Sequence, residues 1–276
     1  MFEKSIQIKG ELIDFKTPKI MGILNVTPDS FYDGGRFESK TAALKQTEIM
    51  LEEGAHIIDV GAMSSRPGSE TLTLEEEKQR LFPILESLLK EFPSRCFSVD
   101  TFYSAIAKES IEIGASIIND ISAGQADPEM FTILGQTKAT YIMMHKQGDP
   151  KNMQNKPQYE NVVSEILTFF SKQKRLAEKA GINDLIIDPG FGFGKTLTHN
   201  YEILNNLNAF QCLNLPVMVG LSRKSMIYKV LSIMPDEALN GTSVLHTKAL
   251  LEGANLLRVH DVKAAKECVE LVALLQ

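Results

Sequence analysis

EEGAHIIDVG, residues 52–61, carries the pattern that decides the fold. It reads as the tail of a helix, then Gly54-Ala55, then a short apolar run broken by Asp59. The glycine suits a left-handed cap at a helix C-terminus. The run is too short for a helix and fits a buried parallel strand. The same shape returns in EIGASIINDI (112–121) and LEGANLLRVH (251–260), and more loosely in KAGINDLIIDPG (179–190). Helix–glycine–strand units repeated along a chain spell α/β architecture with crossover connections.

Working outward, strands are expected near 20–24, 56–60, 96–99, 116–119, 139–143, 185–188, 216–220 and 255–259. Helices fill the gaps at 41–53, 74–92, 103–113, 157–180, about 201–211 and 237–251. Thr73 and Glu76 form a capping box for the second of these, with a kink expected at Pro83. Asp261 is expected to cap a final helix whose Val262, Ala265, Val269 and Val272 share one face. Eight strands alternating with about eight helices, undivided by any linker, predict a single (β/α)8 TIM barrel domain over residues 1–276. An open doubly wound sheet would show a Gly-rich turn after its first strand, and NVTPDS (25–30) is not one. Ahead of the barrel, SIQIKGELIDF (5–15) alternates and turns at Lys9-Gly10, a β-hairpin placed to close the barrel's bottom.

With 276 residues, 43% hydrophobic and 23% charged, the chain is an ordinary globular composition able to bury a large core. A formal net charge of −6 speaks against a general nucleic-acid surface. No apolar run approaches the ~20 residues of a membrane helix. The N-terminus lacks a signal-peptide core, and Cys96, Cys212 and Cys268 are scattered and odd in number. These features fit reduced thiols and a cytoplasmic location, with no nucleic-acid or membrane partner.

In a barrel of this type the active site gathers at the C-terminal ends of the strands. Reading those ends gives Asn25, Asp59, Asp100, Asn119, His145, Asp188, Ser222 with Lys224, and Arg258 with His260. Any one of them could be a turn-former or helix cap, but caps do not call for Lys, Arg and His. DPGFGFGK (188–195) resembles a phosphate loop without being one: Pro189 stands where a Walker A loop needs glycine, and Lys195 where a dinucleotide loop does. Its glycines are read as letting a flat ligand approach the backbone. Arg66, in the long polar loop after the second strand, has the fork that suits phosphate or carboxylate.

Two subsites follow. Asp100, Asn119, Asp188 and Lys224 offer the donors and acceptors that a pterin or guanine-like ring presents in complement. Asn25, Arg258, His260 and Arg66 suit an anionic group with a divalent metal, Asn25 supplying a hard oxygen ligand of the kind Mg²⁺ accepts.

The motifs MGILNVTPDSFYDGGRF (21–37), IIDVGAMSSRPG (57–68), SVDT (98–101), IIND (117–120), DPGFGFGK, LSRKS (221–225) and RVHDV (258–262) closely resemble the dihydropteroate synthases, across residues 20–262. The resemblance implies a cytoplasmic, homodimeric transferase of folate biosynthesis. Its members join 6-hydroxymethyl-7,8-dihydropterin diphosphate to para-aminobenzoate with release of pyrophosphate, use Mg²⁺, and are the target of sulfonamides. By motif, Asn25 matches the magnesium ligand, and Asp100, Asn119, Asp188 and Lys224 the pterin-binding residues. Arg258 and His260, with Asn25, match the diphosphate contacts. Phe31, Ser65, Arg66, Pro67, Phe193 and Ser222 match the surroundings of para-aminobenzoate, with Ser222 expected at the start of a helix. Asp33, Arg66, Lys224, Arg258 and His260 are the expected catalytic groups, Asp33 on a loop that closes over the reacting carbon. The family usually reads Gly-Gly-Glu-Ser-Thr-Arg-Pro-Gly after the second strand; here Met63 replaces the carboxylate and Ser65 the threonine.

A methyltetrahydrofolate-dependent methyltransferase would share the pterin residues but not NVTPDSF, SSRPG or RVHDV. A non-catalytic pterin-binding barrel would have no use for the metal and leaving-group residues.

Overall fold

The computed structural model describes residues 4–26, 36–63, 72–148 and 157–275. It opens with an antiparallel hairpin, β1 (Ser5–Ile8) and β2 (Glu11–Asp14). Eight parallel strands follow: β3 (Lys19–Asn25), β4 (Ile57–Gly61), β5 (Cys96–Asp100), β6 (Ile117–Asp120), β7 (Thr140–Met144), β8 (Leu185–Asp188), β9 (Met218–Val219) and β10 (Leu256–Val259). Their order is β8-β7-β6-β5-β4-β3-β10-β9, and a parallel bridge between Ile187 and Val217 joins the two ends into a barrel. The helices between them are α1 (Arg36–Glu52), α2 (Leu74–Glu91), α3 (Ser104–Glu112), α4 (Glu129–Gly135), α5 (Val162–Ala180), α6 (Leu197–Asn205), α7 (Ser225–Leu231), α8 (Leu239–Leu251) and α9 (Val262–Val272).

The repeated glycines act as expected. Gly54, Gly114, Gly181 and Gly253 all take positive φ, between 90° and 121°, each turning the chain from a helix toward the next strand. The capping box on α2 is present, with Thr73 Oγ1 accepting from Glu76 N and the Glu76 carboxylate accepting from Thr73 N. The helix runs on through Pro83 without a break. The long helix expected over 157–180 begins only at Val162, where the Asn161 side chain caps it by accepting from Ser164 N at 2.9 Å. The helix expected at 201–211 is instead α6, capped by Thr196, followed by a 3-10 turn at Leu207–Leu213. Asp261 precedes α9 but makes no capping bond. Its carboxylate accepts two bonds from Arg223 instead, at 2.9 and 2.8 Å.

Strand periodicity sorts the side chains. Met21, Ile57, Ile117, Ile142, Ile186, Met218 and Leu256 form one buried layer with Ile6, Ile8 and Phe15 of the hairpin region. That layer closes the bottom of the barrel. The hairpin is held there by Gln7 N donating to Asp184 Oδ1 at 2.8 Å and by Lys9 Nζ donating to the carbonyls of Pro93 and Arg95. The alternate residues, among them Ile20, Ile58, Phe97, Ile118, Tyr141, Ile187, Val219 and Leu257, belong to a second, larger cluster shared with the helices. Two residues on from the bottom layer, the strands again face inward. There they present Asp59, Ser98, Asn119, Asp188 and Arg258.

Candidate active site

That inward parity assembles a polar cluster above an apolar floor. Arg258 is its hub: Nε donates to Asp59 Oδ2 at 2.6 Å and Nη2 to Asp100 Oδ2 at 2.7 Å. Asn119 Nδ2 donates to the same Asp59 oxygen at 3.0 Å. Asp59 is fully buried, Asn119 3% and Asp188 4% exposed, and Asp100 half-buried. Burial raises the Asp100 and Asp188 carboxyls above their ordinary range. Arg258 opposes the shift at Asp100, and Lys224, with smaller help from Arg258 and Lys195, opposes it at Asp188. Asp188 Oδ1 also accepts from Gly190 N at 2.8 Å.

Lys224 enters from the loop before α7, with its ammonium on the carbonyl of Phe191 and 4.8 Å from the centre of the Phe193 ring. Burial lowers it to about 8 against the opposing pull of Asp188. Phe193 is 9% exposed and packs with Met144 and the partly buried Ile121. Ser222, His260 and Arg223 make the neighbouring wall. Ser222 Oγ lies 3.0 Å from His260 Nδ1 and accepts from His260 N at 3.3 Å, while Arg223, at φ +54°, reaches Asp261. The helix begins at Ser225 with Lys224 at its N-cap, so Ser222 stands before that helix and not at its start. Asn25 ends β3 with an exposed amide, its backbone in register with Gly61.

The structure therefore brings Asp100, Asn119, Asp188, Lys224 and Arg258 into one mouth, with Phe193, Ser222, His260 and Asn25 on its neighbouring strand ends and loops. Asp33, Phe31, Ser65, Arg66 and Pro67 lie outside the described residues. Asp59 had no role assigned from the sequence, and it proves to be the acid that aims both Arg258 and Asn119. Its inward parity with Ile57 is the signal that marks it. Asp120, of opposite parity, faces outward, where it accepts from Tyr141 Oη, Ser122 N and Gly124 N and shapes the loop after β6.

Two glycines of DPGFGFGK have a different reason from the one expected. Both have positive φ, and a Cβ on Gly190 would lie 2.0 Å from His145 O, one on Gly194 2.1 Å from Gln147 O. They admit the neighbouring backbone, not a ligand.

No group of three or more His, Cys, Asp or Glu side chains among the described residues is arranged to hold a metal ion. An exposed strand-end amide such as Asn25 fits a hard cation only where other oxygens complete its shell, as phosphate and water do for Mg²⁺.

An inward set of paired carboxylates, an amide and a lysine over an apolar floor suits a flat, nitrogen-rich ring. The sequence model for "Pterin binding enzyme" matches residues 21–260. The dihydropteroate synthase of Escherichia coli is 44% identical over 266 residues, covering 96% of this chain and 94% of that one. The chain belongs to the dihydropteroate synthase family. Two solved structures agree. The Yersinia pestis dihydropteroate synthase in a sulfonamide drug complex superposes with a TM-score of 0.92 at 40% identity, covering 98% of both chains. The Xanthomonas albilineans enzyme with 4-aminobenzoic acid gives 0.92 at 35% identity, covering 100% of this chain and 99% of that one. The family's members are TIM-barrel transferases.

Proposed function

We propose that this chain condenses 6-hydroxymethyl-7,8-dihydropterin diphosphate with para-aminobenzoate, giving 7,8-dihydropteroate and pyrophosphate in folate synthesis. The observation that carries the reading is the shared inward parity of Asp59, Asn119, Asp188 and Arg258 in a chain of this family. Asp100, Asn119, Asp188 and Lys224 take the pterin's ring nitrogens, amino group and carbonyl.

The arylamine is neutral at pH 7 and needs no strong base. The demanding step is departure of pyrophosphate, so the site serves by stabilising the leaving anion and a cationic pterin methylene. Arg258 Nη1 has no hydrogen-bond partner among the described residues, while Nε and Nη2 hold it in place. Among the described residues it is the open prong of a fork fixed at its other two nitrogens. His260 and Asn25 stand with it for the diphosphate. Mg²⁺ bound there by Asn25 and phosphate oxygens would neutralise charge on the leaving group. Phe193 and Ser222 face para-aminobenzoate, together with Phe31, Ser65, Arg66 and Pro67, and Asp33 completes the catalytic set.

The protein acts as a homodimer in the cytoplasm. Support for the first is a group of exposed apolar side chains on α7, α8 and the turn between them: Val230, Leu231, Met234, Leu239 and Val244. Support for the second is that no helix among the described residues is long and apolar enough to cross a membrane and that the three cysteines are unpaired.

The deciding experiment is an assay of dihydropteroate formation from the two substrates with and without Mg²⁺. Formation that depends on the metal carries the reading; tight pterin binding without turnover overturns it.

A further inference from the structure

Lys195 closes the DPGFGFGK motif, and beyond its weak pull on the Asp188 carboxyl it has no assigned role. Its side chain is 2% exposed, yet among the described residues it meets no carboxylate at salt-bridge distance. Nζ lies 3.0 Å from His145 Nδ1, 3.2 Å from His145 O and 3.0 Å from Phe193 O. Three acceptors for the three donors of an ammonium make a saturated site. Burial lowers Lys195 to about 7 and His145 to about 2, so the imidazole stays neutral at working pH. The contact survives either state of the lysine. An ammonium donates to a bare Nδ1, and a neutral amine accepts from Nδ1–H.

What Lys195 joins are two backbones already in close approach. The chain after β7 presents the carbonyls of His145 and Gln147 to Gly190 and Gly194, where no side chain fits. Tyr159 adds a second tie by donating its hydroxyl to Gly194 O at 3.0 Å. The His145 ring is fixed in turn, edge-on to Phe169 at 4.9 Å. The loop braced in this way is the one whose Phe191 carbonyl receives Lys224 and whose Phe193 ring lies beneath that ammonium.

We propose that Lys195 is a positioning residue for the pterin site: by bonding His145 and the Phe193 carbonyl it fixes the 190–194 loop, and through that loop the place of Lys224. The proposal rests on the assignment of Lys224 and Asp188 to the pterin ring. Steady-state kinetics of the full chain carrying Lys195→Met tests it, with kcat referred to the fraction of competent sites.

Removing three charge-assisted or buried bonds behind the loop should raise KM for the pterin diphosphate about 10-fold while kcat per site stays within about twofold. A merely structural lysine would lower the competent fraction and leave KM unchanged, and that result overturns the proposal. If Lys195→Met does not fold, His145→Leu decides, because it removes only the ring acceptor. A KM raised about threefold supports the brace, and an unchanged KM overturns it. Asp188→Ala run alongside separates the two readings. If it too leaves the pterin KM unchanged, the pterin assignment has failed; if it alone raises KM, only the role of Lys195 has.

Discussion

Asp59 and Arg258 stand 199 residues apart in the chain and 2.6 Å apart in the barrel, reaching toward each other over the inner face of β3. Asp59 is fully buried, and its other oxygen has no hydrogen-bond partner among the described residues. The pair is therefore a costly arrangement kept at the centre of the mouth. Asp59→Ala removes the acid that aims both Arg258 and Asn119 and leaves the guanidinium on Asp100 alone. It should lower stability by about 3 kcal/mol. It should also lower kcat/KM at least about 10-fold, because Arg258 and Asn119, both proposed to meet the substrates, lose their orientation. Urea unfolding and initial rates measure the two effects. A variant that keeps its midpoint and its rate would show the pair to be idle.

Glu77, on the inner side of α2, is fully buried and close enough to help raise Asp100. Burial lifts its own carboxyl from 4.5 to about 7. The sign follows from linkage. Between those two values the native state holds a proton that the unfolded chain has released, so stability falls as pH rises through the window. The loss amounts to about 3 kcal/mol at most. Glu77→Gln should abolish that fall and raise the melting temperature at pH 8 while changing little at pH 4.5. Equal pH dependence in the variant and the parent would place the effect elsewhere.

Asp188 sits at the end of β8, above the packed layers, and among the described residues its side chain accepts one hydrogen bond, from Gly190 N. Asp188→Ala should weaken pterin binding by ~2–4 kcal/mol, the range for losing charged hydrogen bonds to a buried ligand. Calorimetry with a pterin ligand, beside a thermal melt, reads both sides. Loss of folded protein with no selective loss of pterin affinity would count against the assignment.

Leu231 is 52% exposed and Met234 68%, one at the end of α7 and the other in the turn that leads to α8. Leu231→Lys combined with Met234→Lys places two charges at side chains that are already more than half exposed. With the proposed homodimer interface charged in this way, the chain should sediment as a monomer while its melting temperature stays unchanged. A dimer that persists puts the interface on another face.

Much of the architecture was legible because one local device repeats. A glycine that only a left-handed turn demands, followed by a run too short for a helix, marks where a helix ends and a strand begins. The strand ends were legible for the same reason, and Asp100, Asn119, Asp188 and Arg258 all lie in the mouth. Helix α4 was not anticipated, since seven residues hold barely two turns and show no periodicity, and α7 begins three residues later than the start expected at Ser222. Asp261 reads as a cap in any local window, but Arg223 claims its carboxylate from 38 residues away. Lys195 was set aside because it ends no known phosphate loop. Its partners, His145 and Phe193, become neighbours only once β7 and β8 pair.

The barrel's seam has one further consequence. Between β8 and β9 the backbones meet through the single bridge of Ile187 with Val217, beside a strand only two residues long. Asp188 follows directly on one side of that seam and Lys224 stands beyond the other. A flat ring gripped by both would work as a crossbar over the gap, supplying from outside the chain the rung that its own ladder lacks. Substrate would then be a structural member of the wall as well as its cargo, and the loaded barrel a stiffer cylinder than the empty one.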